Sequence, residues 1–400
     1  MTIKQKKHRQ ALVLAVLFAT AAASGYTCAE DIKLGFNGDL SASPSALSGK
    51  AAVFGIQAAI EDINASGGVL GRKLSLVTRD DLSQPQKSMQ NMSELIDAEK
   101  VVAVIGPTNS GNALAWKHIA NEKKIPVIGA IGSATAITFP MSKGASNYMF
   151  RVSMVDRDSI AALLAYVSKN PGSKKIGFMV ETTGFGQGGL KDIEELAQLH
   201  QIVPACSEKF GVADTDMTSQ LNKCKAAGVD TLIVWAQAVP SAQLMRSMEK
   251  ISYAPTTLMS WGIQQPSFYE IAGSTAMRPI FLQTLTDERT PRQQKLFERI
   301  APKMPTSPFG IAGHAYDAVL LLAAAIKQAN STEGVKVRDA LENLQGNVDG
   351  VMKTYAKPFS AINREALSSS DYRWVKWRDG KLVAYSDPVI KTLLTVDYKK

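Results

Sequence analysis

Histidine and cysteine are scarce in this chain of 400 residues, which contains four histidines and three cysteines. Outside the N-terminal segment the histidines are His118, His200 and His314, and none has the spacing to another His or Cys that metal ligands show. Gly-x-Ser-x-Gly and Walker A motifs are also absent from the sequence. We therefore interpret the three histidines as surface or packing residues, and hydrolase or nucleotide triphosphatase functions have little support.

Long apolar runs are absent beyond the N-terminus, so we expect the mature chain to be soluble and exported. Residues 1–29 have the features of a secretory signal peptide: a basic start, an apolar run at 11–23 that is too short to cross a membrane, and a cleavage site at Thr27-Cys28-Ala29. The basic residues are Lys4, Lys6, Lys7 and Arg9. An uncleaved anchor and a lipoprotein modified at Cys28 are weaker alternatives, because the run is short and Tyr26-Thr27 is an unusual context for lipidation.

The chain has neither a large excess of one charge nor a cluster of basic residues. The 45 basic and 36 acidic residues give a net charge of +9, which falls to +5 without the four basic residues of the signal peptide. Because the basic residues are spread along the chain and not interleaved with aromatic ones, we expect no nucleic acid partner. Loss of Cys28 with the signal peptide leaves Cys206 and Cys224, which we expect to form a disulfide in an oxidising compartment; two buried free thiols are the alternative.

Short apolar strands alternate with amphipathic helices along most of the chain. The predicted strands are 32–36, 74–78, 101–105, 126–128, 175–180, 202–210 and 231–235, and the predicted helices are 49–64, 85–99, 113–122, 189–199, 217–227, 241–251 and 313–329. This alternation predicts an α/β fold with two parallel sheets in series, each covered on both faces, and a first crossing between them near 148–158. Near the C-terminus, Asp379-Gly380 separates two strand patterns, which predicts a hairpin over 372–385.

The segment from Val101 to Ala115 combines a buried strand, a Gly106-Pro107 break, a polar loop and the start of a helix. Free backbone N–H groups and the helix dipole favour anions at such a place, and ligands of open α/β sheets lie at the carboxyl ends of the strands. The loop lacks the lysine of a phosphate-binding loop, so phosphate is disfavoured as the anion.

Gly184 to Gly189 matches the Gly-x-Gly-x-x-Gly pattern of dinucleotide-binding proteins, between a predicted strand and a predicted helix, with Glu208 near the expected acidic position. Its place in the second sheet and the export signal without a twin-arginine pair argue against a nicotinamide cofactor. We favour a Gly-rich turn that faces a cleft; an exported nicotinamide-dependent enzyme is the alternative.

Five segments follow one another in a characteristic order: Glu61–Leu74, Asp80-Asp81 with Pro85, Val104–Pro107 with Ser110, Pro126–Thr135, and Tyr316–Val319. Together they resemble segments of the family of periplasmic leucine/isoleucine/valine-binding proteins. The order and spacing of these segments extend over nearly the whole mature chain. The resemblance implies a type I periplasmic binding protein fold, in which two doubly wound parallel-sheet lobes are joined by a hinge of three crossovers.

The resemblance also implies how the protein works. The N-terminal lobe would comprise 30–155 and 286–355, and the C-terminal lobe 156–285 and 356–400. A small ligand would be trapped between them by hinge closure, and the closed form, which we expect to be a monomer, would dock on an ABC permease in the inner membrane. We expect no cofactor and no enzymatic activity; a protein that reports ligand occupancy to a membrane receptor is a second class.

The family's ligand site transfers only in part to this chain. On the first lobe the carboxylate would be held by Ser110 beside Asn109 and by Ser133 beside Gly132, with Ser48 at the cleft roof. Cap roles for the two serines are compatible with this. On the second lobe, Phe185 retains the family's aromatic ring without its hydroxyl, Trp261 stands where the family has an acidic partner for the ligand ammonium, and Gln237 and Asp156 are further candidates. A tryptophan can offer only its ring face to an ammonium. We therefore expect a carboxylate with an apolar or aromatic body, with an amino acid as the alternative.

Overall fold

The computed structural model describes residues 30–304 and 308–399, and the predicted signal peptide lies outside these ranges. Its strands are β1 (Ile32–Gly38), β2 (Leu74–Asp80), β3 (Ala103–Ile105), β4 (Val127–Gly129), β5 (Met149–Arg151), β6 (Ile176–Glu181), β7 (Cys206–Phe210), β8 (Thr231–Trp235), β9 (Thr256–Met259), β10 (Phe281–Gln283), β11 (Asn347–Asp349), β12 (Thr354–Ala356), β13 (Arg373–Arg378) and β14 (Lys381–Ala384). Its helices are α1 (Ala46–Ala65), α2 (Pro85–Asp97), α3 (Ser110–Glu122), α4 (Asp156–Lys169), α5 (Gly184–Leu199), α6 (Thr218–Ala226), α7 (Ala238–Lys250), α8 (Pro266–Ala272), α9 (Pro291–Ile300), α10 (Phe309–Ala329) and α11 (Gly334–Glu342).

The first sheet is parallel, with the strand order β2-β1-β3-β4-β5. Strands β3 and β4 are wholly buried, as strands covered by helices on both faces must be. The edge strand β5 lies inside the segment 148–158, which the sequence predicts as a crossing between the sheets. The first part of this segment therefore completes the first sheet, and the rest leads away from that sheet.

The second sheet has a parallel part with the order β7-β6-β8-β9. A bridge between Leu258 and Ile280 connects it to an antiparallel part with the order β10-β13-β14. The predicted hairpin is confirmed as β13–β14, and Asp379 and Gly380 both have positive φ, as a tight hairpin turn requires. The prediction of two parallel sheets in series is therefore confirmed, with an antiparallel extension on the second.

The long helix α10 packs along α1 on the first sheet. A Cβ atom on Gly55 would lie 2.1 Å from the carbonyl oxygen of Ala312, so the glycine permits the two backbones to approach closely. By length and composition α10 is apolar enough to cross a membrane, but 83% of its most apolar stretch is buried inside the protein. It is therefore the core helix of this half of the molecule.

The predicted disulfide is confirmed between Cys206 on β7 and Cys224 on α6, whose Cα atoms are 5.2 Å apart. It ties the edge strand of the second sheet to the helix that follows it in the chain. The strand itself is shorter than predicted and begins at Cys206, directly after Pro204 and Ala205, because proline cannot donate to a sheet ladder.

Arg151, at the end of β5, connects the segments that pass between the two sheets. Its side chain has no exposed surface and forms an ion pair with Glu365, at 2.7 Å from Nε to Oε2 and 2.7 Å from Nη2 to Oε1. Its backbone N–H donates to the carbonyl of Arg364. The first and the last passage of the chain between the sheets are therefore held together by one ion pair, whose guanidinium is fully buried and whose carboxylate is 21% exposed.

A candidate ligand cleft between the two sheets

A cleft with about 450 Å3 of empty space, part of it open to solvent, lies between the carboxyl ends of the two sets of parallel strands. The residues that line it follow β3, β4, β6, β8 and β9 or lie near the first turns of α1 and α10. They are Ser45, Ser48, Thr108, Asn109, Ser110, Ile131, Gly132, Ser133, Phe185, Gln237, Trp261, Gly262, Gln264, Gln265 and Ile311. The cleft thus occupies the position in which open α/β sheets bind their ligands.

The first wall of the cleft contains the N-terminus of α3, which begins at Ser110, three residues earlier than predicted. Asn109 precedes it in an extended conformation but does not cap the helix; its side-chain amide donates instead to Ser45 Oγ at 3.1 Å and to Ser83 Oγ at 2.6 Å. The first turn of α3 is therefore not capped by a side chain, and its N–H groups and dipole remain available to an anion.

Ser110 and Ser133 lie side by side on this wall. Ser110 Oγ accepts a hydrogen bond from the backbone N–H of Ala134 at 3.2 Å, and Ser133 Oγ accepts one from Trp261 Nε1 at 2.9 Å. Because a hydroxyl that accepts still has its own proton to donate, both serines can donate to a ligand oxygen.

Two hydrogen bonds cross the cleft directly. Trp261 reaches Ser133 as described, and Gln265 Nε2 donates to Ser48 Oγ at 2.8 Å. The backbones also approach each other, since a Cβ atom on Gly184 would lie 2.6 Å from the Cα atom of Gly111. The first turn of α3 therefore occupies the space in front of α5 that a dinucleotide pyrophosphate would need. This favours the interpretation of Gly184–Gly189 as a Gly-rich turn that faces the cleft.

Aromatic and amide groups form the second wall. Phe185 stacks at a tilt on Trp235, with ring centroids 5.8 Å apart, and Trp261 lies 6.4 Å from the ring of His314. Glu181 fixes Gln237 by accepting from its backbone N–H at 2.8 Å and from its Nε2 at 3.0 Å. Burial raises the pKa of Glu181, against the opposing effect of these hydrogen bonds.

None of the residues that line the cleft in the described part of the chain has an ionisable side chain. The structure brings together eight of the nine site residues predicted from the sequence, all except Asp156. That residue begins α4 behind Ser133, is fully buried, and does not line the cleft. Desolvation raises the pKa of its carboxyl to about 7, the hydrogen-bonding influence of Ser133 lowers it, and the charge of Asp192 raises it further.

Sequence reasoning missed Gln264, Gln265 and Ile311 in the cleft and His314 behind it. The two glutamines come from an irregular segment after β9, and the other two residues lie on the apolar helix α10. Ser45 and Thr108 also line the cleft and were not predicted, but the sequence holds a signal for them. Both lie near predicted site residues in polar loops that follow strands, and such loops often carry binding residues.

The chain is similar to known proteins in sequence and in fold. A profile described as periplasmic binding protein matches residues 31–381. The Leu/Ile/Val-binding protein BraC3 of Rhizobium johnstonii is 24% identical over 357 residues, which are 88% of this chain and 94% of that protein. Leu/Ile/Val-binding protein homolog 3 of Brucella melitensis is 23% identical over 375 residues, 93% of this chain and 98% of that protein.

Solved structures with the same fold include proteins crystallised with different ligands. The branched-chain amino acid transporter substrate-binding protein LivJ of Streptococcus pneumoniae, in complex with isoleucine, has a TM-score of 0.76 and 23% identity, covering 89% of this chain and 98% of its own. A solute-binding protein of an ABC transporter from Rhodopseudomonas palustris BisB5, in complex with 3,4-dihydroxybenzoic acid, has a TM-score of 0.75 and 19% identity, covering 88% and 95%.

Proposed function

The chain belongs to the periplasmic binding protein family and has its type I fold, and from that premise we propose that it captures a small carboxylate with an apolar or aromatic body for an ABC importer. In this proposal one lobe comprises 30–155 and 286–355 and the other 156–285 and 356–400. The ligand lies between them, hinge closure buries it, and the closed monomer presents it to the permease.

The observation that carries the ligand class is the absence of charge among the residues that line the cleft in the described ranges. An ammonium group that is taken out of water needs an opposite charge beside it, and the cleft lining provides none. A carboxylate can be held by neutral donors, and the first wall supplies the hydroxyls of Ser110 and Ser133 and the N-terminus of α3. Phe185 and Trp261 face such a ligand with apolar ring surface.

The fold neighbours include one protein bound to isoleucine and one bound to 3,4-dihydroxybenzoic acid, and both ligands carry a carboxylate. An amino acid is the second candidate ligand, supported by the names of the curated relatives. One feature of the cleft also favours it: Gln265 Oε1 is buried without a hydrogen-bond partner and could accept from an ammonium.

A ligand panel tests the proposal. Thermal shift and calorimetry at about pH 6 would compare benzoate, 4-hydroxybenzoate, 3,4-dihydroxybenzoate and branched aliphatic monocarboxylates with leucine, isoleucine and valine. We expect stabilisation by at least one carboxylate that has no amino group. Stabilisation by the amino acids alone would transfer the assignment to the second candidate.

Replacement of Ser110 with alanine should weaken carboxylate binding about 10- to 100-fold, because a hydrogen bond to a charged group contributes about 1.5–3 kcal/mol. The matched control is Ser93→Ala on α2, whose hydroxyl bonds only to the carbonyl of Met89 within its own helix. Calorimetry should show an unchanged affinity for the control. An unchanged affinity for Ser110→Ala as well would remove Ser110 from the ligand site.

A further inference from the structure

Asp156 is a buried carboxyl group that the proposed binding mode leaves without a role. It has no exposed surface, and neither of its oxygens has a hydrogen-bond partner. Its backbone N–H donates to the carbonyl of Ser133 at 3.0 Å, so the start of α4 lies against the loop that carries the ligand-facing hydroxyl. A polar group buried in this way is costly unless it gains a partner or stays neutral.

Two donors face this carboxyl, one in the wall of the cleft and one directly behind it. The first is the Ser133 hydroxyl, and the second is the indole N–H of Trp235, the ring on which Phe185 stacks. Like the carboxyl oxygens, the indole nitrogen is buried without a hydrogen-bond partner. Ser133 already accepts from Trp261, so its single proton can be given either to Asp156 or to a ligand in the cleft.

The charged groups that act on Asp156 from the neighbouring elements are Asp192 on α5 and Arg151 on β5. Asp192 is occupied by Arg157, at 3.1 Å, and by the hydroxyl of Thr135, at 2.6 Å. Arg151 is occupied by Glu365. Neither neighbour is therefore free to neutralise Asp156, and desolvation raises its pKa to about 7.

We propose that Asp156 determines, through Ser133, whether the cleft can hold a carboxylate, so that ligand binding is coupled to uptake of one proton by Asp156. The inference rests on the proposed function and adds to it a residue that tunes the site. When Asp156 is neutral, Ser133 is free to donate to the ligand. When Asp156 is ionised, it takes the Ser133 proton and places a negative charge behind the ligand carboxylate, which repels it.

The sign of the pH dependence follows from this coupling. Affinity for a carboxylate should be constant below the pKa of Asp156 and should fall above it, by up to about tenfold per pH unit for one linked proton. Bound ligand adds a second negative charge nearby and so raises the pKa of Asp156 further. Binding above neutral pH should therefore be accompanied by uptake of about one proton, and binding at about pH 6 by much less.

The experiment measures the affinity and proton uptake of the full mature protein with benzoate, by calorimetry from about pH 6 to about pH 9 in two buffers of different ionisation enthalpy. We expect wild type to bind at least about tenfold more weakly at the upper end. Asp156→Asn, which cannot ionise, should bind with an affinity that does not change with pH and without proton uptake. Benzamide, the uncharged analogue, should show a smaller pH dependence than benzoate.

Asp317→Asn is the matched control. Asp317 is also a buried aspartate whose pKa is raised to about 7 by desolvation, but it lies on α10, where it accepts from the backbone of Met352 and from Tyr355, away from the cleft lining. This variant should keep the pH dependence and proton uptake of wild type.

Each outcome separates the two proposals. Carboxylate binding without proton uptake in wild type, or with undiminished uptake in Asp156→Asn, overturns the role of Asp156 and leaves the proposed function standing. If Asp156→Asn does not fold, the proton uptake on benzoate binding is compared between wild type and Asp317→Asn. Uptake that is absent in wild type or lost in Asp317→Asn overturns the role of Asp156, and uptake that is kept in both supports it. If neither benzoate nor any other carboxylate of the panel binds at pH 6 to wild type or Asp156→Asn, the proposed function itself fails.

Discussion

Replacement of Arg151 with methionine should be among the most destabilising single changes in this protein. The guanidinium uses all of its N–H groups: two donate to Glu365, one to Thr138 Oγ1 at 3.0 Å, and the others to the carbonyls of Ala134 at 3.0 Å and Gly132 at 3.3 Å. Methionine fills a similar length of space but donates no hydrogen bond. The change therefore leaves two loop carbonyls without this donor, and it leaves the Glu365 carboxylate with the Thr138 hydroxyl but without its cationic partner.

The expected loss follows from the burial of these groups. Removing one member of a buried ion pair costs about 3–5 kcal/mol, since the partner is left charged in a poorly solvated place. The side chain of Glu365 is 21% exposed and can regain some hydration, which places the expected loss toward the lower end of that range. Because Gly132 and Ala134 flank Ser133, the loop should also become less ordered and carboxylate affinity should fall.

Urea unfolding followed by circular dichroism measures this loss. The control is Arg79→Met, because Arg79 pairs with Glu94 at 3.4 Å and Glu99 at 2.6 Å while its side chain is 30% exposed. Such a pair contributes about 0–1 kcal/mol. Equal losses of stability in the two variants would refute the argument that burial makes Arg151 important. An unchanged ligand affinity in Arg151→Met would refute the argument that Arg151 orders the loop around Ser133.

Two further predictions concern stability alone. Reduction of the disulfide, or the double change Cys206→Ala and Cys224→Ala, should lower the free energy of unfolding by about 3 kcal/mol, as expected for a sequence separation of 18 residues. Ligand affinity should not change. A loss of less than about 1 kcal/mol would contradict this prediction. Desolvation lowers the pKa of buried His314 to about 4, so the unfolded chain binds more protons between pH 4 and 6.5 and stability is lost as the pH falls through that window. His314→Gln should therefore lose about 2 kcal/mol less than wild type between pH 7 and pH 5 in urea titrations, and identical losses would show that His314 does not titrate there.

Local patterns in the sequence were enough to predict most of the sheet. Strand β8 has the predicted bounds Thr231–Trp235, and its apolar run lies between Asp230 and the Ala236-Gln237 pair that leads into α7. The hairpin followed from Asp379-Gly380, whose conformation only a few residue types adopt without strain. These elements depend on side chains that are neighbours in the sequence.

Elements that depend on distant partners could not be predicted in this way. Strands β5 and β10 are short, and β10 is fixed by pairing with β13 about 90 residues further along the chain. The start of α3 was misplaced because Asn109 and Ser110 look like loop residues, although the structure uses Asn109 to bind Ser45 and Ser83.

The candidate site also has residues that the sequence predicts and one whose position depends on distant parts of the chain. Ser110, Ser133, Phe185 and Gln237 follow strands directly, so the carboxyl-end rule for open sheets brings them to one edge. The position of Asp156 behind the wall, and not in it, depends on the direction in which the first turn of α4 leaves β5. No spacing in the sequence encodes that direction.

The two hydrogen bonds that cross the cleft, from Trp261 to Ser133 and from Gln265 to Ser48, have a consequence for affinity. They hold the two walls of the cleft together, and each contributes about 0.5–1.5 kcal/mol to the conformation in which the walls meet. In the proposed binding mode a ligand enters only when these bonds are broken, so the measured dissociation constant would equal the intrinsic one divided by the fraction of molecules in which they are broken. In that binding mode the two walls compete with the solute for the same serines, and weaker bonds between the walls would let the protein fill at a lower solute concentration.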